Sequence, residues 1–280
     1  MPCPKKVDVI LYMFILLLSV VFAYFLYLFY LFFWMEGREG REGREGREGR
    51  EPFEDNLIIL GREDTMDYIK GLKDNYYDSF TDLDFKARNV ESLEDYLRLL
   101  SETSGPSNEH RDLIRRCIYE IDSDEELWSK IGNHDWINVA RLRAIPWKIG
   151  LTPVTYEFGL PHTRGDAIFM PELKEGSIEL LKDTLLHEKL HVYQKMYPDD
   201  FQKYLNSEGF VRYCKRRDVI NVAANPDADE WVYMRDAQIF VGKYSKGSSR
   251  RRTVSYTPIN NPRYDCPQEY AVYNLLRTNP

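Results

Sequence analysis

His187 and His191 stand four residues apart in the run His187-Glu188-Lys189-Leu190-His191. On an α-helix that spacing brings two side chains out about 40° apart on one face. Two imidazoles so placed can hold one Zn2+ at about 2.0–2.1 Å each. Glu188, offset by about 100°, can then act as general base on a water that the metal acidifies, while the metal polarises a carbonyl. The competing reading is a surface helix with two unconnected histidines. Leu185, Leu186, Leu190, Val192 and Tyr193 weigh against it, because they give the helix an apolar body for burial.

The helix that must carry these residues fits 176–196, opened by Gly176-Ser177 and closed by Pro198. Strand-like runs at 144–149, 154–158 and 166–170, separated by Gly and Pro, precede it. Residues 199–207 read as a short helix, 230–235 and 238–244 as a hairpin, and 267–277 as a last helix opened by Pro267. Further upstream, 64–80, 92–103, 109–121 and 124–131 carry apolar residues at helical spacing, with Asp64 and Ser92 as expected N-caps. The fold class expected is therefore α+β, with a mainly helical region at 53–145 and the chemistry in a domain at 146–280.

The N-terminus has a different composition. After a short tail at 1–8, residues 9–35 contain no charge and would rise about 40 Å as a helix, enough to cross a hydrocarbon core of roughly 30 Å with tilt. The apolar run is longer than a signal-peptide core and no small-residue cleavage site follows Trp34, so an uncleaved single-pass anchor is expected. Lys5 and Lys6 favour one orientation and the arginines from Arg38 to Arg50 the other, which leaves the side of the membrane open. Within 36–52 the triplet Gly-Arg-Glu repeats from Gly37 to Glu51 and reads as a charge-balanced spacer. A net charge of −7 argues against a nucleic-acid partner; Lys215-Arg216-Arg217 and Arg250-Arg251-Arg252 read as solvated loops. Cys3, Cys117, Cys214 and Cys266 form no CxxC pair and no disulfide framework.

Around HEKLH, Thr184, Leu185, Leu190, Val192 and Tyr193 match the extended, mostly uncharged pattern of the zincin metallopeptidases, which the segment 150–280 resembles. Lys189 departs from it, since that position is normally uncharged. The resemblance implies a zincin-like domain with its active-site helix packed under a small sheet, a Zn2+ cofactor, and a peptide or protein substrate. Gln194 and Tyr197 rule out the zincin types whose third ligand follows within the same motif. The glutamate type remains, with Glu208, Glu230 and Glu269 as candidates. Glu269, followed by an aromatic and a small residue at the start of a helix, is most similar to that family's glutamate. The resemblance also implies an edge strand that pairs with extended substrate, and Asp166–Met170 lies where it would be expected. His162, in the turn-rich loop before it, is the candidate donor to the substrate carbonyl. Tyr233, Tyr244, Tyr256 and Tyr264 are further candidates that the sequence does not separate. The order of anchor, triplet spacer and compact domain is also similar to proteins of large DNA viruses. The alternative to an enzyme is a membrane-tethered binding or scaffold protein that keeps the zincin fold without turnover.

Overall fold

Among the described residues, two sheets and three hydrophobic clusters are built, the largest around one long helix. The computed structural model describes residues 56–172, 177–220, 222–244, 254–257 and 266–276. The expected anchor at 9–35 and the spacer at 36–52 lie outside these residues. Among the described residues no helix is long and apolar enough to cross a membrane.

The described elements are β1 (Leu57–Ile59), α1 (Arg62–Gly71), α2 (Asp82–Ala87), α3 (Leu93–Arg98), α4 (Asn108–Ser123), α5 (Glu125–Ile131) and α6 (Val139–Ala144). They continue with β2 (Trp147–Thr152), β3 (His162–Arg164), β4 (Ala167–Pro171), α7 (Ile178–Met196) and α8 (Pro198–Ser207). Last come β5 (Val211–Lys215), β6 (Trp231–Arg235), β7 (Gln238–Tyr244), β8 (Val254–Thr257) and α9 (Pro267–Leu276). The fold class is α+β. The first sheet runs β1-β2-β4-β3, parallel except for the antiparallel β3; the second is an antiparallel meander, β5-β6-β7-β8.

Strand alternation divides the first sheet's two faces. Trp147, Ile149, Leu151, Ile168 and Met170 point to the core that they share with α4, α7 and α9. Ala167 and Phe169 point the other way, into a second cluster with Ile69, Tyr96, Leu100 and Tyr156. Residues 53–145 and 146–280 are therefore not separate bodies: β1 pairs with β2, Lys182 of α7 bridges to Glu120 of α4 at 3.0 Å, and 51–280 forms one compact unit.

Several expected elements shift for identifiable reasons. The helix expected over 64–80 ends at Gly71, and Asp64 is its third residue, accepting a bond from Gly61 N–H. Ser92 does cap α3, accepting from Asp95 N–H at 3.1 Å. Residues 154–158 are not a strand: Glu157 and Phe158 adopt φ of 42° and 61° inside a tight turn. The buried Glu157 carboxylate anchors that turn through Arg88 at 2.9 Å and Tyr76 Oη at 2.7 Å. β4 occupies the place expected of an edge strand, but it is paired on both sides, and the edge is β3. The turn between them needs Gly165, whose φ is 58° and where a Cβ would lie 2.6 Å from Tyr68 Oη.

Candidate metal centre

The polar residues of α7 stand in its most buried stretch. From Glu188 to Gln194 every residue is buried, so each polar group there needs a partner. Lys189, the departure from the extended motif, is 1 % exposed. Its Nζ donates to Ile145 O at 2.7 Å and lies 3.9 Å from the centre of the Trp147 ring. Burial pulls its pKa down to about 7, with Asp122 opposing. The lysine side of the helix is thus interior, and the charge is accommodated by local bonds.

His187, His191 and Glu269 converge. Nε2 of His187 and Nε2 of His191 are 3.0 Å apart, and Glu269 Oε2 lies 3.2 Å from the first and 3.5 Å from the second. Glu269 reaches them from the first turn of α9, whose buried Ala271, Val272 and Leu275 share the core with α7. Of the other two carboxylates weighed, Glu208 pairs with Arg235 at 3.1 Å and Glu230 pairs with Lys215. Among the described residues, His187, His191 and Glu269 are the only group of three or more His, Cys, Asp or Glu side chains positioned to share an ion.

Three donors each about 2.0–2.1 Å from a tetrahedral ion would stand roughly 3.3 Å from one another. The observed triangle fits that spacing. Two features prepare the donors. His191 Nδ1 donates to Gln194 Oε1 at 2.9 Å, which fixes Nε2 as the nitrogen that turns to Glu269 and would hold an ion. Gln194 Nε2 in turn donates to Gln268 O at 3.1 Å, tying the histidine's partner to the residue before Glu269. His191 is fully buried while His187 and Glu269 are partly exposed, so the triangle has a solvent-facing side.

The electrostatics follow from proximity. Burial alone would lower the His191 imidazolium, but the Glu269 carboxylate beside it, with Asp227 and Glu188 adding to it, pushes its pKa up to about 10. Burial would raise Glu269, yet the two histidines hold it well below the usual carboxylate range. Glu188 is 4 % exposed, and its Oε2 has no hydrogen-bond partner among the described residues. Burial raises its carboxyl well above the ordinary value; Asp227 and Glu269 push the same way and His191 opposes. A bound dication would reverse much of that shift.

His162 does not join this group. In the β3–β4 register it stands opposite Phe169, on the sheet face turned from α7, and its ring stacks on Phe169 at 5.6 Å. It is 1 % exposed, its Nδ1 bonds Leu160 O at 3.0 Å, and burial lowers its pKa. His162 therefore faces away from the triangle that it was expected to assist. Its neighbour Thr163 faces α7 instead. Thr163 N–H and Oγ1 donate to Asp227 at 2.7 and 2.6 Å, and Lys195 Nζ donates to Thr163 O at 2.7 Å and to Pro226 O at 2.8 Å. Those bonds occupy the outward backbone groups of β3, so its free edge is closed at Thr163.

Sequence reasoning used Gln194 only to exclude other zincin types and did not single out Lys195, Asp227 or Gln268. Gln194 and Lys195 carried one usable signal: polar residues continuing the face of His187 and His191 along a helix that is otherwise apolar. No protein-family model, curated protein or solved structure matches this chain.

Proposed function

We propose that the chain is a membrane-anchored zinc metallohydrolase of the glutamate zincin type, acting as a peptidase. The observation that carries this reading is the donor triangle of His187, His191 and Glu269, with edges of 3.0, 3.2 and 3.5 Å. Three protein donors with no fourth beside them among the described residues match a catalytic rather than a structural zinc site. The packing of α7 beneath a small sheet with an antiparallel edge strand supports the zincin resemblance.

Zinc held there would supply a Lewis acid that acidifies water and polarises a carbonyl. The chain's own residues do the rest. Gln194 fixes the His191 tautomer and, through Gln268 O, the placement of α9. Glu188 Oε2, buried and without a partner, accepts the proton of the attacking water and delivers it to the leaving amine. The anchor proposed at 9–35 holds this activity at a membrane surface.

One observation favours the second reading, a tethered binding protein without turnover: the closed edge of β3 gives an extended substrate no free backbone partner at Thr163. Glu188→Gln separates the two. Zinc stoichiometry near one per chain in both proteins, with hydrolysis of a denatured protein substrate reduced roughly 100-fold or more in the variant, supports the enzyme. Equal turnover in both proteins refutes the mechanism, and its absence from both favours the binding protein.

A further inference from the structure

With the β3 edge closed, recognition has to come from elsewhere, and a cavity of about 360 Å3 lies beside it. That volume is at the small end of ligand pockets. The cavity runs from Lys195, one helical turn beyond His191, to Arg216 in the turn after β5, with Gly165 and Pro226 on its walls. Its charged lining is Asp74, Lys195, Arg216, Asp229 and Glu230.

Four of these five groups are already matched. Asp74 takes both arms of Arg164 at 2.6 and 2.7 Å, and Glu230 takes Lys215. Asp229 accepts from Tyr233 Oη at 2.6 Å and Trp231 N–H at 3.0 Å. Lys195 donates to Thr163 and Pro226 and stands 3.6 Å from Asp227. Arg216 differs. It is 8 % exposed, and among the described residues its Nε has no partner and its one side-chain hydrogen bond is Nη1 to Ala223 O at 3.4 Å. The acidic neighbour Asp84 does not reach ion-pair distance and is itself taken up by Thr81, Ala224, Tyr244 and Arg88. Burial accordingly pulls the guanidinium below its ordinary value, with Asp84 offsetting only part.

A buried guanidinium left this short of acceptors is costly unless an anion completes it. We propose that Arg216 is the anion-recognising residue of this cavity and binds a carboxylate of the peptide substrate. A single fork-shaped cation suits a carboxylate, whereas the nearby Asp74, Asp229 and Glu230 disfavour a dianionic phosphate. Lys195 lies about 6 Å along α7 from His191, roughly two residues of extended chain. The end of the cavity at Lys195 therefore adjoins the triangle, and the carboxylate held at Arg216 belongs either to an acidic side chain of the peptide or to its C-terminus. The substrate assignment rests on the peptidase reading; the anion site does not.

Binding tests it without turnover. The full-length, zinc-loaded chain carrying Glu188→Gln is titrated by calorimetry with three blocked alanine tetrapeptides: free C-terminal acid, C-terminal amide, and amide with one internal Glu. One acidic peptide should bind roughly tenfold or more tighter than the neutral amide, the factor set by a charge-assisted hydrogen bond. That preference should vanish in Arg216→Gln and return in part in Arg216→Lys. Which acidic peptide gains distinguishes side chain from C-terminus. Equal affinity for all three, or a preference that survives Arg216→Gln (a carboxylate resting on the metal instead), overturns the proposal. A readout independent of variant folding is protection of Arg216 from phenylglyoxal in the unsubstituted chain, followed by mass spectrometry. Saturating acidic peptide should slow modification, and an unchanged rate overturns the site. Carboxylate binding without hydrolysis would keep the pocket and remove the peptidase.

Discussion

Replacing Glu269 with Gln should change not only how tightly zinc binds but how that binding depends on pH. In the metal-free chain the Glu269 carboxylate, 3.5 Å from His191 Nε2, pushes the imidazolium up to about 10 against the effect of burial. Zinc needs that nitrogen deprotonated, so below about pH 10 binding must expel a proton. The apparent Kd then falls about tenfold per pH unit, or about 100-fold between pH 6.5 and 8.5. In Glu269→Gln the principal group raising His191 is gone, and burial opposes what Asp227 and Glu188 still supply, which brings the imidazole down towards its ordinary value near 6.5. The variant should bind zinc more weakly and with little slope over the same interval. Competition against a fluorescent chelator at three pH values measures both slopes, and other linked protons cancel in their difference. The same shift bears on stability. His191 binds its proton more tightly folded than unfolded, so its contribution to the metal-free chain is full below about 6.5 and lost as pH rises towards about 10. Parallel slopes in the two proteins would show that Glu269 does not control His191 and would refute the triangle as the zinc site.

Two further substitutions probe the supports. Gln194→Leu removes the acceptor on His191 Nδ1 and the tie to Gln268 O; zinc affinity should fall about 10- to 100-fold while the pH slope is kept, and undiminished affinity by the same chelator assay would reject the positioning role. Lys189→Met tests the buried ammonium. Its folded pKa, about 7, lies below the unfolded value, so the penalty is full below about 7 and relieved as pH rises towards the ordinary lysine value. Allowing for the lost bond to Ile145 O, the variant should be more stable by about 1–3 kcal/mol at pH 6, with the gain shrinking at pH 9.5 in denaturant titrations. A gain that does not depend on pH would contradict the assigned cause.

Legibility in the sequence tracked how local each signal is. The helices over 108–123, 125–131, 178–196 and 198–207 were readable because period, caps and Pro198 are all local. The hairpin at 231–235 and 238–244 was readable for the same reason, with Asp236 and Ala237 taking positive φ at its turn. β3 was read as a loop because three residues carry no period, and its existence depends on pairing with β4. The error over His162 follows directly: without the register, nothing says that His162 turns away from α7 while Thr163 turns towards it. Glu269 was favoured through a family resemblance, not through spacing, since its distance from His187 along the chain has no local signature. Arg216 looked like one of three consecutive solvated charges, and only the fold buries it while its neighbours Lys215 and Arg217 stay outside.

The site and the packing of α7 have the same cause. A helix buried over seven consecutive residues cannot leave polar groups unmatched, and those on α7 are matched by different parts of the fold. Lys189 is held by the end of α6, and Tyr193 by Asn138 N–H and Asp200, both at 2.8 Å. Gln194 is held by α9, and Lys195 by β3 and the 225–227 turn. Each bond that satisfies a buried group also fixes a neighbouring element against the helix, so α9 arrives with Glu269 beside the two histidines. Glu188, the first residue of the stretch, is the exception, with an oxygen left unpartnered among the described residues. In a helix otherwise so fully matched, that oxygen makes Glu188 the residue whose substitution tests the proposed general-base role most directly.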